Sequence, residues 1–235
     1  MITLIAAAFL ASHAGKETTI DVVLPQGLKD ITLIARVVSG DQHELRKINK
    51  DFGLSYQFKE SKISIKLPMK FRAETKIEDS NILYVIDGDE LLTSFAGLRS
   101  HQNLKGKPGR RQSGVEIGLL TPDLFEGYLT AKYVREASTD KVPVFDLSYV
   151  ASDGDKTRNR VWVDGDHRYV TRREWFNREG KHVASFTYSA PINVSGVWVP
   201  THMEVSNGEG KLAGVTDYVD IKVNTGLSDS IFATK

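Results

Sequence analysis

Apolar and polar residues alternate along the chain from Ile63. Ile63, Ile65, Leu67, Phe71 and Ala73 fall on one side, and Lys66, Lys70, Arg72, Glu74 and Lys76 on the other. A two-residue period marks a strand with one apolar and one wet face. Glu78-Asp79-Ser80-Asn81 supplies turn residues, and Ile82-Leu83-Tyr84-Val85-Ile86 reads as a strand that is apolar on both faces. Asp87-Gly88 opens a tight turn, because glycine allows the positive φ that two-residue hairpin loops require. Further strands are predicted at 128–135, 144–149, 160–164, 169–177, 182–189, 197–206 and 214–223, separated by polar turns at 152–155, 164–166, 178–180 and 207–210. Upstream, 18–24 and 31–38 read as extended, split by Pro25-Gln26-Gly27. Short strands spaced by such turns predict an antiparallel sheet rather than βαβ units.

The helical period is rarer. In 43–52, Leu45, Ile48 and Phe52 recur at spacings of three and four, which predicts one short amphipathic helix entered at Ser39-Gly40-Asp41 and ended by Gly53. Thr121-Pro122-Asp123 predicts a capped helical turn. Between these elements, 97–112 is punctuated by Gly106, Pro108 and Gly109 and carries Arg99, Lys105, Lys107, Arg110 and Arg111. It reads as a mobile basic loop, either a solvated surface or, at Lys105, Lys107, Arg110 and Arg111, an attraction for anionic headgroups or an acidic partner.

Composition narrows the function classes. The 235 residues are 40% apolar with seven prolines, enough for a sizeable core, and no linker divides 15–235, which reads as a single domain. A net charge of +1 gives no basic face for nucleic acid. The absence of cysteine excludes disulfides, thiolate metal sites and a cysteine nucleophile. The apolar run 2–11, followed by Ser12-His13-Ala14, matches a secretory leader cut after Ala14, although no basic residue precedes it. Export is the resulting expectation, and the lack of cysteine fits the cytosol or the periplasm alike.

Chemical motifs are sparse. Asp-Gly-Asp occurs at 87–89, 153–155 and 164–166 but lacks the downstream Glu of a calcium loop, so turn chemistry explains it. The six histidines show no metal-ligand spacing, and no G-x-S-x-G or phosphate loop is present. A hydrolase built on a carboxylate pair is a third-ranked reading, since such pairing is spatial. The expectation is a protein without catalysis, cofactor or metal.

The aromatics point elsewhere. Phe58, Phe71, Phe95, Phe145, Trp162, Trp175, Phe186, Tyr188 and Trp198 lie on different predicted strands. In a flat sheet they pack under a helix; in a curled sheet they line a concave apolar surface suited to acyl chains.

Particular segments carry a resemblance. Pro68-Met69-Lys70-Phe71-Arg72-Ala73-Glu74, then Val85-Ile86-Asp87-Gly88 and Thr121-Pro122-Asp123-Leu124, resemble the outer-membrane lipoprotein-sorting (LolA-like) superfamily. Its envelope branch is similar through Arg172-Arg173-Glu174-Trp175-Phe176-Asn177-Arg178-Glu179-Gly180-Lys181, Gly196-Val197-Trp198-Val199-Pro200-Thr201 and the closing 223–232. The resemblance implies a mainly β (α+β) fold, a strongly curved antiparallel sheet forming an unclosed half-barrel with a few helices over its concave face. It further implies a carrier for a lipid or lipoprotein acyl chain, or a sensor or scaffold that binds another, membrane-bound envelope protein. The candidate lining is Phe71, Leu83, Val85, Phe145, Trp162, Phe186 and Trp198. Moving acyl chains through water requires such a surface, because each buried methylene is worth about 0.8 kcal/mol. Leu67 stands where the carriers have an arginine that latches the lid.

Overall fold

A computed structural model describes residues 18–78, 80–150 and 156–234. The expected leader at 1–14, Asp79 of the first turn, and the 153–155 triplet lie outside the described residues. Among the described residues there are fifteen strands: β1 (Asp30–Gly40), β2 (Glu60–Lys66), β3 (Lys70–Ile77), β4 (Ser80–Asp87), β5 (Glu90–Phe95), β6 (Leu98–Asn103), β7 (Leu129–Tyr133), β8 (Val144–Tyr149), β9 (Arg158–Val163), β10 (Val170–Phe176), β11 (His182–Ser189), β12 (Ile192–Val194), β13 (Val197–Val199), β14 (His202–Asn207) and β15 (Leu212–Val223). Thirteen form one antiparallel sheet in the order β6-β5-β4-β3-β2-β1-β15-β14-β11-β10-β9-β8-β7, and β12 pairs only with β13. The sheet does not close into a barrel, and β6 and β7 are its two edges. Register shifts within the β1–β15, β9–β10, β10–β11 and β14–β15 pairs mark bulges, which bend and twist a sheet.

Several expectations are corrected. The alternation from Ile63 is not one strand but the β2–β3 hairpin. Pro68 follows a cis bond and cannot donate to a ladder, and Met69 turns through a positive φ of 52°. The pattern survives the turn because Ile65 pairs with Phe71 and Ile63 with Ala73. The predicted basic loop contains the β6 strand, paired residue by residue with β5. Its Arg-Ser-His-Gln-Asn run is polar on both faces, so no apolar period announced it. Residues 20–23 of the first predicted strand form a 3-10 turn, and Pro200 separates β13 from β14.

The single predicted helix is two: α1 (Gln42–Ile48) and α2 (Lys50–Ser55). Asn49 is extended, at φ −165°, and its side chain accepts from Phe52 N at 2.6 Å, capping the second helix. Gly53 therefore lies inside α2. Asp41 caps α1 by accepting from His43 N and Glu44 N. The pair packs on the middle of the sheet, with Phe52 edge-on to Phe186 at 5.8 Å. Tyr56 lies so close to β15 that a Cβ on Gly214 would sit 2.3 Å from its ring, which explains the glycine there.

Strand alternation sorts side chains onto two faces. Ile31, Ile65, Phe71, Ile86, Phe145, Val161, Phe186 and Val205 belong to the large core on the face covered by the helices. On the opposite face, Val85 and Leu92 form a separate cluster with Phe232, flanked by Leu83, Leu227 and Ile231. The C-terminal residues make this second cover. Asp30 is buried and accepts from Thr225 N, Thr225 Oγ1, Gly226 N and Leu227 N at 2.8–3.3 Å. Lys66 then donates to Leu227 O at 2.8 Å and Arg72 to Ile231 O at 2.6 Å, which seats Phe232 fully buried.

Candidate functional site

The two sheet edges are joined by one segment, 104–128, which runs from the end of β6 across the core face to the start of β7. It is built from 3-10 turns at Pro108–Arg110, Gly114–Ile117 and Pro122–Phe125 rather than from α-helix. Ser113 and Glu116 form a capping box, with Ser113 N donating to Glu116 Oε2 at 2.7 Å. Gly118 then reverses the chain with a φ of 80°. Val115, Ile117, Leu119, Leu120 and Leu124 are all buried in the same cluster as Phe71, Phe145 and Phe186. Of the nine aromatics, Phe71, Phe145, Phe186 and Tyr188 are buried in this cluster together with the crossover's own side chains.

Polar contacts seat this cover. The Asp123 carboxylate accepts from Met69 N at the tip of the β2–β3 hairpin at 2.6 Å. That contact ties the hairpin to the cover through a carboxylate of the cover. The other Asp123 oxygen is buried without a hydrogen-bond partner among the described residues. A cavity of about 10 Å³, room for one water, lies beside it between Lys70, Arg111 and Thr121. Tyr188 donates to Val115 O and Glu116 O at 3.2 and 3.3 Å, and Tyr218 to Glu116 O at 3.2 Å. Burial pushes both phenols up, so they remain donors, and burial also pushes the Glu116 carboxyl up, offset in part by Arg173. Arg173 itself lies over the Phe186 ring at 3.9 Å. Tyr84, pushed up to about 12 by burial, donates to Arg110 O at 2.8 Å.

The seven candidate lining residues divide. Phe71, Phe145 and Phe186 come together on the core face under the crossover. Leu83 and Val85 lie on the opposite face, under the C-terminal cover. Trp162 sits between the buried Val161 and Val163 and so points the other way, with Arg172 over its ring at 4.9 Å. Trp198 packs at the margin of the core, edge-on to His167 at 4.3 Å. Of the four basic candidates, Lys105 and Lys107 are exposed, and Arg110 donates to Gln102 at 2.8 Å. Arg111 is nearly buried, paired with Asp89 at 2.5 Å, bonded to Gly88 O and set over Tyr128. Sequence reading missed Asp123, Tyr188 and Tyr218 as contacts that seat the cover; only Ser113-x-x-Glu116, the capping box inside it, carried a legible signal. Among the described residues no cluster of three metal-ligating carboxylates or histidines occurs, and no helix is long and apolar enough to cross a membrane.

This geometry has solved counterparts. A LolA-superfamily protein from Nitrosomonas europaea superposes with a TM-score of 0.57 at 16% identity, over 91% of this chain and 93% of that one. A putative outer-membrane lipoprotein-sorting protein domain from Vibrio parahaemolyticus gives 0.54 at 15%, over 90% and 92%. The fold is LolA-like. A DUF1329-family protein from Desulfovibrio piger shares it, with a TM-score of 0.56 at 14% identity over 91% and 92%. A family profile described only as an uncharacterized protein matches residues 123–235. No curated protein sequence matches the chain. The LolA-like fold thus extends over both sheet halves, whereas the profile covers the crossover's end and everything after it.

Proposed function

We propose that the protein is an exported, non-enzymatic carrier of a lipid or lipoprotein acyl chain in the bacterial cell envelope. The observation that carries this reading is the nature of the cover on the concave face. The face that holds Phe71, Phe145 and Phe186 is covered by an irregular segment of short 3-10 turns, with the short α1–α2 pair, whose Phe52 meets Phe186, beside it. Its five buried aliphatic side chains occupy the place a hydrocarbon chain would take. Exchanging them for acyl methylenes replaces one apolar contact by another, so the exchange is close to neutral in buried area. The opposing term is the set of polar latches at Asp123, Tyr188 and Tyr218, each worth about 1 kcal/mol net. A cover held by a few such contacts opens without unfolding the sheet beneath it. The LolA-like fold supports the same reading, since one of its counterparts is described as a putative outer-membrane lipoprotein-sorting protein domain.

The test is uptake of a fluorescent C16 fatty acid by the purified protein, with native mass spectrometry and lipid extraction of the same material. Binding by the intact protein, increased when Asp123→Ala loosens the cover, is the expected result. No uptake by either form, together with no extracted lipid, overturns the proposal.

A further inference from the structure

We propose that the free edge of β7 is a docking site for an extended peptide segment of a partner protein, which adds to the sheet as a fourteenth strand. Tyr128 O accepts from Val150 N and Val134 N donates to Val144 O, at 3.1 and 2.9 Å. The alternating ladder between β7 and β8 therefore engages the even-numbered residues of β7. The N–H and C=O groups of Leu129, Ala131 and Tyr133 point the other way. They open on a groove of about 510 Å³ lined by 129–133, with Thr18, Thr19, Ile20 and Phe125 as further lining. Among the described residues β7 ends the sheet.

The chemistry of the lining selects the occupant. A hydrocarbon in this groove would leave a row of backbone donors and acceptors dry and unpaired, at about 1–3 kcal/mol each. An extended peptide pairs all of them, as in strand addition to other sheet edges. Strand alternation then divides its side chains. On the core face they meet Ile20 and Phe125, which calls for apolar residues. On the outer face they meet the exposed Thr130 and Lys132. Asp146, opposite Lys132 in the ladder, is engaged by Arg160 at 2.8 and 2.9 Å, so Lys132 is left to pair with an acidic residue of the peptide. The favoured partner is thus an extended segment alternating apolar and acidic residues. This site adjoins the surface beneath the crossover through Phe125 and Tyr133 but uses the outward backbone edge of β7, and it does not rest on the acyl reading.

The experiment uses the full chain and two capped synthetic hexapeptides, one alternating Val and Glu, the other Val and Lys. The Val-Glu peptide is expected to bind and to slow exchange of the Leu129, Ala131 and Tyr133 amides by about tenfold or more, since each becomes hydrogen-bonded. Ala131→Pro removes an outward donor without touching the β8 ladder, a position an edge strand tolerates. It should weaken Val-Glu binding about tenfold while leaving fatty-acid uptake and the unfolding midpoint close to those of the unaltered protein. Lys132→Glu, which leaves the backbone edge intact, should reverse the preference toward Val-Lys. Equal binding to all three proteins, or binding without protection of those three amides, overturns the proposal. So does protection that is already present without peptide and disappears in a chain starting at Lys16, because the edge would then belong to the chain's own N-terminal residues.

Discussion

At the scale of single residues, the contact between Asp123 and Met69 N is the one most directly tied to the proposed opening of the cover. A carboxylate oxygen 2.6 Å from a backbone N–H makes a charge-assisted bond, and its partner at a hairpin tip has no strand neighbour to replace it. Asp123→Ala should lower stability by about 1–3 kcal/mol, read as a shift of the urea midpoint, and raise fatty-acid uptake in the same preparation. A midpoint shift with unchanged uptake would separate the latch from the acyl surface. A second residue sets a pH dependence. His202 Nδ1 lies 2.7 Å from Asp217 and Nε2 3.6 Å from Glu204, and the hydrogen bond to Asp217, ahead of the other causes, raises its pKa. A histidine raised in the folded state stabilises fully below its unfolded pKa of about 6.5, and that stabilisation is lost as pH rises through the folded value. Urea midpoints of the unaltered protein and of His202→Gln should therefore differ most near pH 6 and converge in alkaline solution. Parallel profiles across pH 5.5–9 would remove His202 from the account.

At the scale of elements, the strands with one apolar face were legible and the covers were not. β8 and β11 have the bounds that alternation predicts, because one face is core and the other wet. β4 illustrates the limit. Ile82-Leu83-Tyr84-Val85-Ile86 is apolar on both faces, so alternation alone cannot assign Leu83 and Val85 to a side. The side is decided by Phe232, about 150 residues away in sequence, which covers one face while the crossover covers the other. Trp162 has the same difficulty between two valines. The crossover carried no period at all, since a 3-10 turn is too short to repeat one. Its backbone is held through Met69, Tyr188, Tyr218 and the bond from Val170 N to Gly118 O at 2.8 Å rather than through a ladder. Segments held this way open at a lower free energy than paired strands. Amide hydrogen exchange should accordingly be faster for 113–125 than for β9, β10 and β11, and slower after fatty acid is bound. Equal protection of both regions would make the crossover part of a fixed core.

At the scale of the whole molecule, one sheet carries two covers that differ in kind. The crossover is anchored at both ends, to β6 and β7, and lies over Phe71, Phe145 and Phe186. The C-terminal cover is anchored where Asp30 gathers Thr225, Gly226 and Leu227 and again where Arg72 holds Ile231 O, and it lies over Leu83, Val85 and Leu92. Either apolar surface could in principle receive an acyl chain, and the candidate lining residues fall on both. A chain ending at Leu227 distinguishes them, because it keeps the Asp30 contacts and removes Phe232 together with the Arg72 and Lys66–Asp229 contacts. Losing a fully buried phenylalanine costs about 3–5 kcal/mol, so the shortened chain should unfold at lower urea and bind apolar dyes over the bared Val85 and Leu92. If the concave face is the acyl site, its fatty-acid uptake, measured where it remains folded, should match that of the full chain. Uptake that rises several-fold on shortening would instead place the acyl chain under the C-terminal cover, and the crossover would then be a structural plug.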